Sequence, residues 1–147
     1  MEFQHQPVLF RETLDALQIR PEGYYIDGTA GGGGHSEAIL QRLSTGKLLS
    51  IDQDPDAIAA VTKRLSPYPG SVIRQGNLSQ MAEFAASCGF PPVDGILLDI
   101  GVSSHQLDMP ERGFSYHHDA PLDMRMSQDG VSARELVNRL SWQELAQ

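Results

Sequence analysis

The sequence has 147 residues and only one cysteine, Cys88, which excludes an internal disulfide and suits a reducing compartment. No apolar run approaches the roughly 18 residues that cross a membrane. The opening segment MEFQHQPVLF lacks the basic and apolar regions of a signal peptide. From these absences we expect a cytoplasmic protein without a membrane-spanning segment.

Basic residues are also scarce, with 11 Lys and Arg against 19 Asp and Glu and a net charge of −8. This balance argues against a broad electrostatic surface for nucleic acid, although it allows a local basic patch. A metal site is not expected either. The adjacent His117 and His118 cannot share one face of a strand or helix, and no second ligand pair has metal spacing.

Segments typical of strands alternate with segments typical of helices. Strands are predicted over residues 24–28, 47–52, 71–75 and 93–100, and helices over 36–43, 54–65 and 79–88. A short amphipathic helix, marked by Phe10, Leu14 and Leu17, precedes the first strand. This alternation predicts an α/β fold whose parallel strands are joined by right-handed crossovers.

The character of the sequence changes after Gly101. Residues 102–128 are polar and show no clear period, and two capping boxes, Ser132 with Glu135 and Ser141 with Glu144, then predict two helix starts. The fourth strand, GILLDI, is apolar on both faces, which is typical of an interior strand, yet no further strand follows it. We therefore expect an incomplete sheet and the front part of a longer protein.

The segment YYIDGTAGGGGHS at residues 24–36, followed by Asp52, predicts a strand, a glycine-rich turn, a helix start and a second strand that ends in a carboxylate. This order is typical of a site for a nucleoside-bearing cofactor. Asp27 would repel a pyrophosphate, and Ser36 stands where a dinucleotide fingerprint has its third glycine. Both features favour S-adenosyl-L-methionine, whose sulfonium and amino groups tolerate a nearby carboxylate. A bare strand–helix turn is the alternative.

Each polar residue near this loop has a functional and a structural interpretation. Asp99, at the end of the fourth strand, is expected to face the reacting end of the cofactor or to cap the turn that follows it. Asp52 could bind ribose hydroxyls or cap the next helix, and Asp27 could bond the main chain of the loop. His35 could meet a ligand carboxylate through its N–H or its ring, or be a neutral surface histidine.

The segments IDGTAGGGGHS, SIDQDPDAI, GILLDIGVSSHQLD and ERGFSYHHDAPLDMRM resemble the RsmH (MraW) family of bacterial ribosomal RNA methyltransferases. The resemblance covers nearly the whole chain but about the first half of a family member. It implies a Rossmann-like class I S-adenosylmethionine-dependent methyltransferase fold, incomplete over residues 1–101, with a helical RNA-binding insertion beginning over residues 102–147. It also implies methylation of N4 of a cytidine in the decoding region of 16S rRNA, in the small ribosomal subunit.

The resemblance further implies cofactor contacts at Gly33, Gly34, His35, Asp52, Leu78, Asp99 and Gln106. Among these, Asp52 matches the ribose-binding acid, and Leu78 falls where the family usually has phenylalanine beside the adenine. Arg112 and Arg125 are candidate RNA contacts, with solvated or internally paired arginines as the alternative. The catalytic residue, any general base and the oligomeric state are left unassigned.

Two other functions stay open at this point. One is an S-adenosylmethionine-dependent enzyme with another substrate, and the other is a binding module without catalytic activity. The segments LDIGVSSHQLD and PLDMRM count against the first of these, because they lie outside the generic cofactor site.

Overall fold

The computed structural model describes residues 9–147, which form two compact units, one ending at Ile100 and the other spanning Gly101–Gln147. The first unit is built around a parallel sheet with strand order β3-β2-β1-β4. Its strands are β1 (Tyr24–Asp27), β2 (Lys47–Asp52), β3 (Ser71–Gln75) and β4 (Gly95–Leu97). Its helices are α1 (Phe10–Ala16), α2 (Gly34–Leu40), α3 (Pro55–Leu65) and α4 (Met81–Ser87). The predicted α/β class is confirmed.

Alternating side chains of the central strands enter two apolar clusters. Tyr25 and Leu48 belong to the larger cluster, whereas Ile26 and Leu49 belong to the smaller one. The larger cluster includes residues of the helices as well, namely Leu14, Ile39, Leu40, Val61 and Leu65. Apolar packing therefore stabilises the central strands, and the ends of these strands carry the residues of the candidate site.

Local sequence signals account for the start of α3. Asp54 accepts a hydrogen bond from the N–H of Asp56 at 3.1 Å, and Pro55 occupies the first helical position. Ala57, Val61 and Leu65 are buried along one face of this helix. The predicted helix over residues 54–65 is thus confirmed, with Asp54 as its cap.

The structure shortens or divides three predicted elements. The strand expected over residues 93–100 is β4, which pairs only along Gly95–Leu97, lies at the sheet edge and leaves Ile96 46% exposed. The helix expected over 79–88 begins with a 3₁₀ turn, Leu78–Gln80, because Asn77 caps that turn. The helix expected over 36–43 begins two residues earlier and ends at Leu40.

The second unit contains the helices α5 (Ser104–Asp108), α6 (Ala133–Arg139) and α7 (Trp142–Leu145), and a 3₁₀ turn at Pro110–Arg112. Both predicted capping boxes are confirmed, since Ser132 and Ser141 each accept the N–H of the glutamate three residues on. Within residues 9–147, no helix is both long and apolar enough to cross a membrane.

Candidate cofactor-binding site

The carboxyl ends of three parallel strands meet at the glycine loop. Asp27 ends β1, Asp52 ends β2, and Asp99 lies two residues beyond β4. The loop is pinned between them, because Gly28 donates its N–H to the carbonyl of Leu97 and Ala30 donates to that of Ile51, each at 3.0 Å. The edge of the sheet at which α/β proteins bind ligands is therefore formed by this loop.

The two carboxylate oxygens of Asp52 bond to different segments, one to the glycine loop and the other to the residue before α3. Oδ2 accepts the N–H of Gly31 at 2.8 Å, and Oδ1 accepts the N–H of Asp54 at 2.9 Å. A carboxylate has about four acceptor positions, so roughly two are left for ligand hydroxyls. Because Asp54 itself caps α3, the interpretation of Asp52 as the helix cap is wrong.

Asp27 points inward, beneath the loop, and is 1% exposed. Its Oδ2 accepts from Ser36 Oγ at 2.7 Å and its Oδ1 from the N–H of Thr29 at 3.1 Å, and Ser36 Oγ also contacts Ser50 Oγ at 2.9 Å. Burial raises the pKa of Asp27 to about 6, against the lowering effect of the bonds from Ser36 and Thr29. Asp27 therefore has a structural role, because it bonds the main chain of the loop and the hydroxyl of Ser36. It does not face a ligand cation.

The glycine loop offers room on one side and tight packing on the other. A Cβ added at Gly33 would lie 3.0 Å from Val61 Cγ2 and 3.2 Å from Arg64 Cδ. A Cβ added at Gly31 would meet only the carbonyl oxygen of Thr29, at 3.9 Å, within the part of the chain that the structure describes. The open side at Gly31 adjoins the carboxylate of Asp52, so a ribose-bearing cofactor fits this arrangement.

The ring of His35 packs away from solvent. It stacks on Phe10 with ring centroids 5.3 Å apart, and the residue is 7% exposed. Desolvation lowers its pKa, opposed by the negative charge of Asp99. The Nε2 atom has no hydrogen-bond partner among residues 9–147. The interpretation as a surface histidine is therefore wrong, because the ring packs against Phe10 and the residue is buried.

Two leucines flank the start of the loop at Gly28. A Cβ at this position would come within 2.6 Å of Leu98 Cδ2 and 3.7 Å of Leu78 Cβ. Leu78 is partly buried in the 3₁₀ turn after β3, so this predicted residue lies beside the glycine loop. The side chain can cover an adenine with apolar atoms but lacks the π-face that phenylalanine offers.

Asp99 is exposed and is connected to the loop by its main chain. Its N–H donates to Thr29 Oγ1 at 2.7 Å. Sequence reasoning did not single out Thr29, because a threonine in a loop carries no pattern that identifies its partner 70 residues away. The one feature of the sequence that could have identified Thr29 was its position between Asp27, which ends the first strand, and the run of glycines.

The sequence profile of the MraW methylase family matches residues 2–147. The chain belongs to this family.

The curated relatives of this chain include two proteins named ribosomal RNA small subunit methyltransferase H. The protein from Symbiobacterium thermophilum is 50% identical over 99% of this chain and 47% of its own length. The protein from Heliobacterium mobile is 52% identical over 94% of this chain and 46% of its own length. The chain therefore spans about half the length of these relatives.

A solved structure with a similar fold is the C-terminal domain of precorrin-6Y C5,15-methyltransferase from Rhodobacter capsulatus. It has a TM-score of 0.54 at 22% identity and covers 73% of this chain and 56% of that chain. At this identity the likeness concerns the fold alone. The chain thus shares the fold of this domain over part of its length.

In the second unit, the predicted site residues make hydrogen bonds within the unit. Gln106 is buried and forms a capping box with Ser103, in which its side chain accepts the N–H of Ser103 at 3.1 Å. Arg112 donates to the carbonyls of Arg125 and Met126 at 3.2 and 3.1 Å. These bonds give Gln106 and Arg112 structural roles within the unit.

Arg125 is likewise paired within the second unit. Its guanidinium contacts Asp123 at 2.6 Å and at 3.1 Å, and these hydrogen bonds lower the pKa of Asp123 and raise that of Arg125. The interpretation of Arg112 and Arg125 as internally paired arginines is therefore the one that the structure favours. Among residues 9–147, no group of three or more His, Cys, Asp or Glu side chains has metal-binding geometry.

Proposed function

We propose that this chain is part of an S-adenosylmethionine-dependent methyltransferase that modifies N4 of a cytidine in the decoding region of 16S rRNA. The observation that carries the proposal is the match to the MraW methylase family over residues 2–147. The relatives named ribosomal RNA small subunit methyltransferase H support a ribosomal RNA substrate, and with it a cytoplasmic enzyme. The small ribosomal subunit is the proposed partner, and residues 102–147 are the proposed beginning of an RNA-binding insertion.

The glycine loop and the strand ends are the proposed cofactor site. Asp52 would accept the ribose hydroxyls, the main chain of Gly33, Gly34 and His35 would contact the cofactor, and Leu78 would cover the adenine. Asp99 and Gln106 are proposed as further contacts, the latter on the resemblance to the family alone. The support for this assignment is the open side of the loop at Gly31, next to the acceptor oxygens of Asp52.

When bound, S-adenosylmethionine supplies a methyl group attached to a positively charged sulfur. The protein then has mainly to position the cytosine amine in line with that methyl group and to complement the charge. A base that is stacked in RNA must first be extruded to reach such a site. The exposed carboxylate of Asp99, or carbonyls beside it, would accept the hydrogens of the amine and orient its lone pair.

The proposal is tested with the full-length protein, methyl-labelled S-adenosylmethionine and small ribosomal subunits that lack the modification. Label on N4 of a single decoding-region cytidine is the expected result. Subunits that already carry the modification are the matched control and should accept no label. A parallel reaction with free 16S rRNA distinguishes naked RNA from the assembled subunit as substrate.

Label at another atom, or transfer to a different class of acceptor, would replace the proposed substrate but keep the cofactor. Failure of the full-length protein to bind S-adenosylmethionine in a calorimetric titration would refute the enzyme assignment. That result would favour the non-catalytic binding module instead.

A further inference from the structure

Thr29 connects two acidic segments of the candidate site. Its main-chain N–H donates to Oδ1 of Asp27 at 3.1 Å, and its Oγ1 accepts the N–H of Asp99 at 2.7 Å. One residue of the glycine loop therefore bonds to the end of β1 and to the segment that follows β4.

The Asp27 end of this connection is fixed. Asp27 is 1% exposed, and its other oxygen accepts from Ser36 Oγ, which in turn contacts Ser50 Oγ on β2. Two strands and the first turn of α2 thus hold the carboxylate to which Thr29 bonds. Thr29 is therefore held in place, and a segment that bonds to its side chain is held in place with it.

The segment that contains Asp99 is exposed and lies beyond the last paired residue of β4. β4 ends at Leu97, and beyond it Leu98 is 42% and Ile100 76% exposed. Within residues 9–147, the bond to Thr29 Oγ1 is the hydrogen bond that the structure gives Asp99. The main chain from which the Asp99 side chain projects is therefore bonded to the glycine loop through the hydroxyl of Thr29.

We propose that Thr29 is a positioning residue that acts through Asp99. Its hydroxyl holds the main chain after β4 so that the Asp99 carboxylate faces the cofactor site. This role rests on the proposed function, because it requires that Asp99 contact S-adenosylmethionine. Thr29 itself touches neither cofactor nor substrate in this scheme.

The test is a double-mutant cycle in the full-length protein, with S-adenosylmethionine affinity measured by calorimetric titration. Thr29→Val keeps the shape of the side chain and removes the acceptor, whereas Thr29→Ser keeps the acceptor. We expect Thr29→Val to weaken binding about threefold to tenfold, the effect of one lost neutral hydrogen bond, and Thr29→Ser to stay within about twofold of wild type. In an Asp99→Ala background, Thr29→Val should change the affinity by less than about twofold, because its target is gone.

Thermal unfolding of each variant checks that it is folded, and Thr29→Ala is a second variant that lacks the acceptor. An equal loss of affinity from Thr29→Val in both backgrounds, or no loss in either, would overturn the positioning role alone. Failure of the wild-type protein to bind S-adenosylmethionine would overturn the proposed function and this role with it. Binding by wild type that Asp99→Ala leaves unchanged would remove the link through Asp99 and so reject the role.

Discussion

Gly31 donates its main-chain N–H to Oδ2 of Asp52 at 2.8 Å, which fastens the glycine loop to the end of the neighbouring strand. The other oxygen of the same carboxylate accepts the N–H of Asp54 at 2.9 Å. Asp52 therefore shapes the loop as well as offering acceptor positions to a ligand. An acid at the end of the second strand therefore indicates both a ligand site and the way in which the glycine loop is held.

Replacement of Asp52 should weaken cofactor binding. We expect Asp52→Ala in the full-length protein to cost about 1–3 kcal/mol of S-adenosylmethionine binding free energy, the usual loss for hydrogen bonds to a charged group. Asp56→Asn is the matched control, because it removes the same charge from an exposed position in the first turn of α3. Calorimetric titration gives both dissociation constants. An unchanged constant for Asp52→Ala would refute the ribose role.

The buried carboxyl of Asp27 should make the protein less stable as the pH rises. Burial raises its folded-state pKa from 3.8 to about 6, so the folded protein keeps a proton that the unfolded chain has already released. The stabilisation is present in full below about pH 4 and is lost as the pH rises through about 6, by roughly 3 kcal/mol in total.

Asp27→Asn is the variant that isolates this effect, because an amide does not titrate. Urea unfolding of both proteins between pH 4 and 7 gives the difference in unfolding free energy, in which the titration of His35 and of the surface groups largely cancels. The wild-type curve should fall relative to the Asp27→Asn curve across this range. Parallel curves would show that folding does not shift the pKa of Asp27.

Much of the fold follows from local signals in the sequence. The bounds of β2 and β3 agree with the prediction because their apolar residues stand between clear turns, and the start of α3 agrees because Asp54 is a good cap. The fourth strand was predicted too long because an apolar run shows where a strand is possible. Its real length depends on pairing, which here extends only along three residues of β1.

The orientation of the site residues was harder to predict. The inward direction of Asp27 depends on Ser36 and Ser50, which are 9 and 23 positions away in the sequence and approach only in the folded sheet. The burial of the His35 ring likewise depends on Phe10 in α1. Spacing along the chain identified where the site residues lie, whereas their side-chain directions are set by these tertiary contacts.

The ring of His35 should matter for packing more than for the cofactor. Its buried Nε2 lacks a partner within residues 9–147, so His35→Phe keeps the stack on Phe10 and removes a buried polar atom. We expect His35→Phe to be as stable as wild type or up to about 1 kcal/mol more stable, with cofactor affinity within about twofold. His35→Ala should lose about 2–4 kcal/mol through the cavity it leaves. A folded His35→Phe protein that binds S-adenosylmethionine tenfold more weakly would show instead that the ring contacts the cofactor.

Gly33 and Gly89 form a matched pair for testing the shape of the loop. Their φ angles are +81° and +68°, so an added Cβ costs about 1–2 kcal/mol of backbone strain at either position. At Gly33 the Cβ would also press on Val61 and Arg64 at 3.0 and 3.2 Å, whereas at Gly89 no atom of the described chain lies within 4 Å.

We therefore expect Gly89→Ala to lower stability by about 1–2 kcal/mol and to leave cofactor affinity unchanged. Gly33→Ala should lower stability further and weaken S-adenosylmethionine binding about tenfold or more, because the loop must move away from α3 to relieve the crowding. Urea unfolding and calorimetric titration of the two variants measure both quantities. Equal effects of the two substitutions on cofactor affinity would mean that the close packing of Gly33 against Val61 has no part in shaping the site.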